Sequence, residues 1–281
     1  IHKNFENFFN IRFKGSEGVF EGSDSEWCHY NGFKENDEQF IKDCKQACYY
    51  YRTGTKPKAI KTQFWGPRVG SQDKCIEKAF KYFSNNNSLN EFLIASKCRY
   101  GKCYTSLKII DKLETENVLK HHLHLITSYR PSDIIAEWYD TVITHNDFNW
   151  DVFVHPSLQN KFPHAKTLDD LNKNSKGIVI ASTQCLIKKS KINDEVDYSK
   201  YSKKLQNLKF GVVCADEDDV GNNKENAINF RANNLNYENV IRITGTAYQE
   251  LIWESNKFND ENTYIFDYIE EQKLKAQYKH L

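Results

Sequence analysis

The sequence lacks most of the short motifs that identify a chemistry. Its 281 residues contain no Gly-rich loop ending in Lys-Ser or Lys-Thr and no Gly-x-Ser-x-Gly turn, which disfavours a nucleoside triphosphatase and an α/β-hydrolase. No two cysteines have the Cys-x-x-Cys spacing, which argues against a zinc ribbon. No apolar run is long enough to span a bilayer, and the first residues lack the apolar core of a signal peptide. We therefore expect a soluble chain without a membrane span.

Methionine is absent and arginine is scarce, with 7 Arg against 32 Lys and 28 Asn. This bias follows A/T-rich codons rather than a requirement of folding, so we expect the gene to lie in an A/T-rich replicon. The net charge of +1 and the isoelectric point of about 7.7 argue against a protein that coats DNA through its bulk charge. A nucleic-acid site would therefore have to be a local patch.

Six of the eight cysteines lie in the first 103 residues, whereas Cys185 and Cys214 lie inside apolar runs. An even number of cysteines clustered near the N-terminus suits one to three disulfides in a secreted protein, although their connectivity cannot be read from the sequence. The two later cysteines are expected to be buried thiols.

Apolar periodicity predicts helices over much of the first half of the chain. Residues 75–83 and 134–142 carry apolar side chains at helical spacing. Ser88 and Glu91 form a capping-box pattern that predicts a short helix through the apolar run that follows. The same periodicity predicts a helix over residues 263–278.

From about residue 176 the pattern changes to short apolar runs that predict buried strands over 177–181, 210–214 and 240–243. The predicted fold class is α+β, in which a helix-rich N-terminal half packs on a C-terminal mixed α/β part. We expect one functional unit over residues 1–281, with a soft boundary near residues 110–175.

The two ends of the chain carry a possible acid–base pair. Glu6 lies among phenylalanines, which raise the pKa of a carboxyl group toward the range of a general base. His280 lies just past the predicted last helix, whose negative C-terminal end raises the pKa of a nearby imidazole. One base and one acid suffice for the attack of a ribose 2′-OH on its own phosphate. The alternative is a solvated carboxylate and a frayed surface histidine.

These features resemble the secreted killer-plasmid toxins of fungi that cut tRNA anticodon loops, the zymocin gamma-subunit type. The resemblance rests on the A/T-rich Lys/Asn/Tyr/Phe composition and the chain length. It also rests on the early glutamate in Asn4-Phe5-Glu6-Asn7-Phe8 and the near-terminal histidine in Gln277-Tyr278-Lys279-His280.

The resemblance implies a tRNA anticodon endoribonuclease that needs no metal or cofactor and cleaves 3′ of a modified wobble uridine, leaving a 2′,3′-cyclic phosphate and a 5′-OH. Glu6 then takes the place of the catalytic base and His280 that of the acid, with Arg130 or Arg242 as candidates for neutralising the phosphate. The implied partners are the anticodon stem-loop of tRNA-Gln or tRNA-Glu, a chitin-binding toxin subunit and an intracellular immunity protein. The implied location is secreted, with action in the cytosol of a target yeast.

A basic segment at residues 52–74 fits an RNA partner, because cations bind phosphates and aromatic rings stack on unpaired bases. Its candidate RNA-binding residues are Arg52, Lys56, Lys58, Lys61, Phe64, Trp65 and Arg68. The alternative is a solvated loop whose Trp65 packs into the core.

Two other functions compete with the nuclease. Asp216, Asp218 and Asp219 follow a predicted buried strand, where they could hold Mg²⁺ for a metal-dependent nuclease or a glycosyltransferase. A solvated turn before a helix is the simpler interpretation of these carboxylates. The third possibility is a secreted, non-enzymatic binding module that uses its exposed aromatic residues.

Overall fold

The computed structural model describes residues 61–85, 90–97, 100–128, 133–189, 196–216, 224–245 and 257–277. The chain divides into two compact units, Ile1–Ala59 and Ile60–Leu281, and every described residue belongs to the second. The predicted single unit over residues 1–281 is therefore untested. None of the helices in these ranges is both long and apolar enough to cross a membrane.

Eight strands form one sheet in which every neighbouring pair runs parallel. They are β1 (Glu91–Ser96), β2 (Leu123–Ser128), β3 (Val152–Val154), β4 (Lys166–Thr167), β5 (Gly177–Ser182), β8 (Lys209–Asp216), β9 (Asn236–Thr244) and β10 (Thr263–Phe266), and their order across the sheet is β10-β1-β9-β8-β2-β5-β3-β4. Two short strands, β6 (Ile187–Lys189) and β7 (Val196–Tyr198), form a separate antiparallel hairpin.

Helices connect the strands. They are α1 (Gln72–Asn85), α2 (Lys102–Thr115), α3 (Asp133–Thr144), α4 (Thr183–Leu186), α5 (Lys200–Gln206), α6 (Lys224–Asn234) and α7 (Tyr268–Gln277), with 3₁₀ turns at Pro156–Leu158 and Leu168–Asp170. The connections through α2 and α3 step toward the β4 edge, whereas those through α5 and α6 step toward the β10 edge. Because parallel crossovers are right-handed, the two pairs of helices cover opposite faces of the sheet.

The core therefore has two layers of helix-to-sheet packing. On the α5 and α6 face, Leu125, Val179 and Val213 lie in register on neighbouring strands and belong to one apolar cluster with Tyr201 of α5 and Phe230 of α6. Helices on both faces explain why β2 and β5 are buried at every position and why the sequence of β5 reads as an apolar run.

Several predicted elements are confirmed. The apolar runs at residues 177–181, 210–214 and 240–243 lie in β5, β8 and β9. The helical periodicities at residues 75–83 and 134–142 lie in α1 and α3.

The α+β class is wrong, because strands that the sequence pattern missed join the first half of the chain to the same parallel sheet. The predicted helix after Ser88 is instead β1, which pairs with β9 and β10. The first residues of the predicted helix over 263–278 form the edge strand β10. Short apolar runs of this kind do not distinguish a buried strand from a buried helix. The described residues form an α/β fold, and within them no helix-rich half packs on a mixed sheet.

Candidate functional site

The carboxyl end of the parallel sheet contains a point where the chain connections diverge. The connection after β1 passes β9 and β8 to reach β2, whereas the connection after β9 passes β1 to reach β10. Neighbouring strands whose connections leave in opposite directions open a crevice between them, and ligands of open α/β sheets bind in such crevices. The candidate site therefore lies at the carboxyl ends of β1, β9 and β8.

Helix α2 begins at this crevice, directly after β1. Its N-cap residue, Gly101, has left-handed backbone angles (φ 85°, ψ 44°), and the backbone N–H of Thr105 donates the first hydrogen bond of the helix to the Gly101 carbonyl (3.0 Å). The N–H groups of residues 102–104 have no partner within the helix by its geometry, and no acidic residue lies in this first turn. A helix start of this kind attracts an anion.

Two side chains hold the loop before Gly101. Arg68 Nη2 and Gln72 Nε2 both donate to the carbonyl oxygen of Tyr100, at 2.7 Å and 2.9 Å. Gln72 is fully buried, and its Oε1 accepts a hydrogen bond from the backbone N–H of Arg68 (2.9 Å). The buried Tyr100 ring packs on Phe266 at the end of β10, with ring centroids 5.0 Å apart. These contacts fix the direction from which the chain enters α2.

A lysine and an aspartate lie on either side of this crevice. Lys102, the first residue of α2, places its Nζ 3.8 Å from the position that a Cβ on Gly245 would occupy, at the end of β9. Asp216 ends β8, and its buried carboxylate accepts a hydrogen bond from the indole N–H of Trp138 (2.9 Å). Burial, followed by the charge of Asp216, raises the pKa of the Cys103 thiol well above its usual value. The thiol of Cys103 is therefore neutral at physiological pH.

This arrangement suits a chain of phosphates. Backbone N–H groups and the Lys102 ammonium offer positive charge at the start of α2. Asp216 offers a carboxylate about 10 Å away, two strands along the sheet. Mg²⁺ bound with phosphates uses only one or two protein carboxylates, so the single buried carboxylate of Asp216 fits such an ion.

The predicted RNA-binding residues that the structure describes have several roles. Lys61 Nζ donates to the carbonyls of Val142 (3.0 Å) and Phe148 (2.5 Å), and burial lowers its pKa. Phe64 is 71% exposed, whereas Trp65 is half exposed and packs against the Tyr104 ring with centroids 4.3 Å apart. Lys61 and Trp65 therefore make intramolecular contacts at this surface.

The predicted catalytic residues are mostly outside the described ranges. Glu6, Arg130 and His280 lie outside these ranges. The RNA-binding candidates Arg52, Lys56 and Lys58 and the carboxylates Asp218 and Asp219 also lie outside them. Arg242 is described: it is buried in β9, with its guanidinium 3.8 Å from the Glu91 carboxylate and 5.2 Å from the centre of the Phe258 ring. The meeting of Glu6 with His280 is untested.

The sequence pattern missed the residues at the start of α2. Gly101 and Lys102 match the Gly-Lys pair of the phosphate-loop pattern Gly-x-x-x-x-Gly-Lys-Ser/Thr, but Ser96 stands where its first glycine is expected and Cys103 where its Ser or Thr is expected. The signal that could have revealed them is a Gly-Lys pair a few residues after an apolar run, provided that the run is recognised as a strand.

No family model matches the chain. Over 255 residues it is 23% identical to a protein of Mycoplasma pneumoniae (strain ATCC 29342 / M129 / Subtype 1) named "Putative type II restriction enzyme and methyltransferase RM.MpnORF110P C-terminus". The match covers 78% of this chain and 33% of that protein. The chain therefore spans about a third of the length of this relative.

Solved structures with related folds have low similarity. The SWI2/SNF2 ATPase core of Sulfolobus solfataricus in complex with dsDNA has a TM-score of 0.48 and 14% identity, covering 70% of this chain and 35% of that one. A nuclease-deletion mutant of the Type ISP restriction-modification enzyme LlaGI, in complex with a DNA substrate mimic, has a TM-score of 0.42 and 13% identity, covering 68% and 21%. These TM-scores are too low to assign a fold by comparison, so the description of the fold rests on the strand order of this chain.

These findings overturn the resemblance to killer-plasmid toxins, because the similar protein is named as a restriction enzyme and methyltransferase. The tRNA anticodon endoribonuclease is wrong, and with it the tRNA, chitin-binding and immunity partners. The glycosyltransferase, the metal-dependent nuclease on Asp216 and the non-enzymatic binding module are not supported either. The similar protein is itself an enzyme by name, so the expectation of an enzyme holds at that coarse level. The secreted location is untested.

Proposed function

We propose that the unit Ile60–Leu281 is a nucleoside triphosphatase domain. The observation that carries this proposal is the start of α2: Gly101 and Lys102 follow a parallel strand into the crevice between β1 and β9, beside Gly245 and within two strands of Asp216. Strand, Gly-Lys loop and helix in this order form a site for the phosphates of a nucleotide.

Each residue of the proposed site has its own role in binding the nucleotide. The N–H groups of Lys102 and Cys103 donate to a phosphate of the triphosphate, and the Lys102 ammonium neutralises charge on the neighbouring phosphate. Asp216 would hold Mg²⁺, which supplies further charge neutralisation when it is bound. The indole N–H of Trp138 orients the Asp216 carboxylate. Arg68 and Gln72 position the loop through the Tyr100 carbonyl.

The name of the relative supports a role on DNA. A restriction enzyme and methyltransferase acts on DNA, and the similarity extends over 78% of this chain. We therefore propose that triphosphate hydrolysis here serves the handling of DNA in a restriction system. The cleavage and methylation chemistry named for the relative can lie in the two thirds of that protein that this chain does not cover.

Binding of a fluorescent ATP analogue, measured by titration in the presence of Mg²⁺, tests the nucleotide site. Lys102→Ala should weaken binding about 10-fold to 100-fold, since a charge-assisted contact contributes about 1.5–3 kcal/mol and about 1.4 kcal/mol corresponds to tenfold in affinity. Hydrolysis of ATP should fall at least as far.

The matched control is Lys81→Ala, which removes an exposed lysine from α1, a neighbouring helix. It should bind and hydrolyse ATP like the wild type. Equal affinity in the Lys102→Ala variant, or a wild-type chain that binds no nucleotide, would show that the start of α2 is not a nucleotide site.

A further inference from the structure

A recess lies at the end of the sheet where the strands begin, opposite the crevice at their carboxyl ends. It encloses about 560 Å³ between the segments that lead into β2, β5 and β8. Six of its lining residues are basic or can become so: Lys120, His121, His122, Lys173, Lys176 and Lys209. The described residues that line it include no Asp, Glu, Phe, Tyr or Trp.

The four lysines of this recess differ from several other lysines of the described surface. Lys97, Lys112 and Lys166 each pair with a carboxylate. Among the described residues, no carboxylate oxygen lies within 4.0 Å of the ammonium group of any recess lysine, and no hydrogen bond from these ammonium groups is formed. Four lysines whose ammonium groups form no ion pair, on one concave surface, favour a local positive potential, even though the net charge of the chain is only +1.

Hydrogen bonds fix the backbone that carries these lysines. The Glu238 carboxylate accepts the backbone N–H groups of Lys120 (3.0 Å) and His121 (2.7 Å). The turn before β5 is closed by the backbone N–H of Asn172, which donates to Ser175 Oγ (3.0 Å). The N–H of Gly177 then donates to the carbonyl of His122 (2.8 Å), which joins the two segments. The recess is therefore built on rigid turns, although the lysine side chains themselves are flexible.

Neither of two nearby carboxylates, Glu238 and Glu114, forms an ion pair with a described lysine of the recess. Glu238 is occupied by the two backbone N–H groups, and the Glu114 carboxylate accepts hydrogen bonds from His122 Nδ1 (3.1 Å) and His124 Nε2 (2.9 Å). The adjoining recess differs: it contains Asp151 and Asp170, and Lys166 pairs there with Asp151 at 2.6 Å. Lys176 lines both recesses, whereas Lys120, Lys173 and Lys209 line only the recess in front of β2, β5 and β8.

The charges match a repeating anion. Because β8, β2 and β5 are neighbours and strands lie about 4.8 Å apart, the four lysines begin from backbone positions spread over about 10 Å. A strand of duplex DNA places about three phosphates along the same length. Single strands are held largely by stacking of their bases on aromatic rings, and the described lining contains no Phe, Tyr or Trp.

We infer that this recess binds the phosphodiester backbone of duplex DNA without reading its sequence. The site is separate from the nucleotide site, because Lys209 and Asp216 stand at opposite ends of β8, about 23 Å apart. The inference rests on the proposed function only in taking DNA as the ligand. Its residues and its test are independent of the start of α2.

The test is binding of a fluorescently labelled 20-base-pair duplex of arbitrary sequence, followed by anisotropy without nucleotide over a series of salt concentrations. The full chain is compared with a triple variant, Lys173→Gln, Lys176→Gln and Lys209→Gln. Each lost phosphate contact reduces the magnitude of the negative slope of log K against log salt by about 0.9, so the loss of three should reduce it by about 2.7. The affinity of the triple variant at low salt should fall roughly tenfold or more.

The matched control is Lys74→Gln, Lys81→Gln and Lys161→Gln, which removes the same charge from exposed lysines elsewhere. It should keep the wild-type salt slope. Equal slopes for the two triple variants, or a wild-type chain that binds no duplex, would overturn the inference. Displacement of the duplex by about 10 mM inorganic phosphate at constant ionic strength would also overturn it, because the recess would then be a site for a single small anion.

The two proposals fail separately. Binding of the fluorescent ATP analogue should be unchanged in the Lys173, Lys176 and Lys209 triple variant, and duplex binding without nucleotide should be unchanged by Lys102→Ala. Circular dichroism of each variant establishes that the protein is folded.

Discussion

At the scale of single residues, the proposed nucleotide site depends on a glycine whose backbone angles and surroundings disfavour a side chain. Gly101 has φ of 85°, a region that costs a residue with a Cβ about 1–2 kcal/mol. A Cβ at Gly101 would also stand 2.6 Å from Gln72 Nε2, the atom that donates to the Tyr100 carbonyl. The backbone conformation and the packing around it therefore require the same residue.

Gly101→Ala should lower the stability of the protein by about 1–3 kcal/mol and weaken ATP binding at least about tenfold. The reason is that the new methyl group displaces Gln72 and moves the N–H groups at the start of α2. Urea denaturation and nucleotide titration measure the two effects. Gly66→Ala is the control, because no atom lies within 4 Å of its added Cβ. Unchanged binding by Gly101→Ala would contradict the assigned role of this loop.

The same residues show where the sequence could not predict the site. Gly101-Lys102 was visible in the sequence, but Cys103 in place of Ser or Thr removed the pattern that marks a phosphate loop. Asp216 was selected as a carboxylate at the end of a strand, and the structure places it there. The basic recess could not be predicted, because its lysines come from three segments between residues 120 and 209.

At the scale of secondary-structure elements, a partly buried carboxylate joins helix α2 to strand β2 and to the segment before β3. Glu114, in the last turn of α2, accepts hydrogen bonds from His124 in β2 (2.9 Å) and from Trp150 just before β3 (2.8 Å). Nδ1 of His124 accepts the backbone N–H of Val212 (3.2 Å), so its Nε2 carries the proton that is donated to Glu114. Burial alone would raise the pKa of Glu114, but the hydrogen bonds from His124, Trp150 and His122 lower it below its usual value.

This lowered pKa predicts a pH dependence of stability. Glu114 contributes stability above its unfolded pKa of 4.5, and that contribution is lost as the pH falls through the lower folded value. Glu114→Gln should therefore cost about 1–3 kcal/mol at pH 7, and the difference from the wild type should shrink below about pH 4.5. Urea denaturation at several pH values measures it.

Glu116→Gln, which changes an exposed carboxylate two residues along the chain, is the control for this experiment and should change stability little at any pH. A destabilisation by Glu114→Gln that stays constant down to pH 3 would show that the ionised form of Glu114 has no special role in the network.

Element type was predicted well for long or strongly β-branched segments and poorly for short ones. Strands β5, β8 and β9 were found because their apolar runs are rich in valine and isoleucine. Strand β1, Phe-Leu-Ile-Ala within Glu91–Ser96, has no clear period, and the capping-box pattern before it favoured a helix. That error concealed the phosphate loop, since the loop is recognised by the strand before it, and the missed strands β2 and β10 further concealed the parallel sheet.

At the scale of the whole molecule, the two ends of the strands in the sheet carry different groups. The carboxyl end carries the start of α2, Lys102 and Asp216, and the amino end carries the unpaired lysines of the basic recess. A triphosphatase that works on DNA needs a site for each ligand, and the separation by the length of β8 keeps them apart. The relative is about three times as long as the matched region, so further domains can add chemistry to this unit.

The most direct test of the central claim is a crystal structure of the chain with Mg²⁺ and a non-hydrolysable ATP analogue. The account predicts phosphate oxygens about 2.7–3.2 Å from the backbone nitrogens of Lys102 and Cys103, with Lys102 Nζ bound to the same phosphates. A phosphate chain bound elsewhere on the protein, with the start of α2 in contact with water alone, would contradict it.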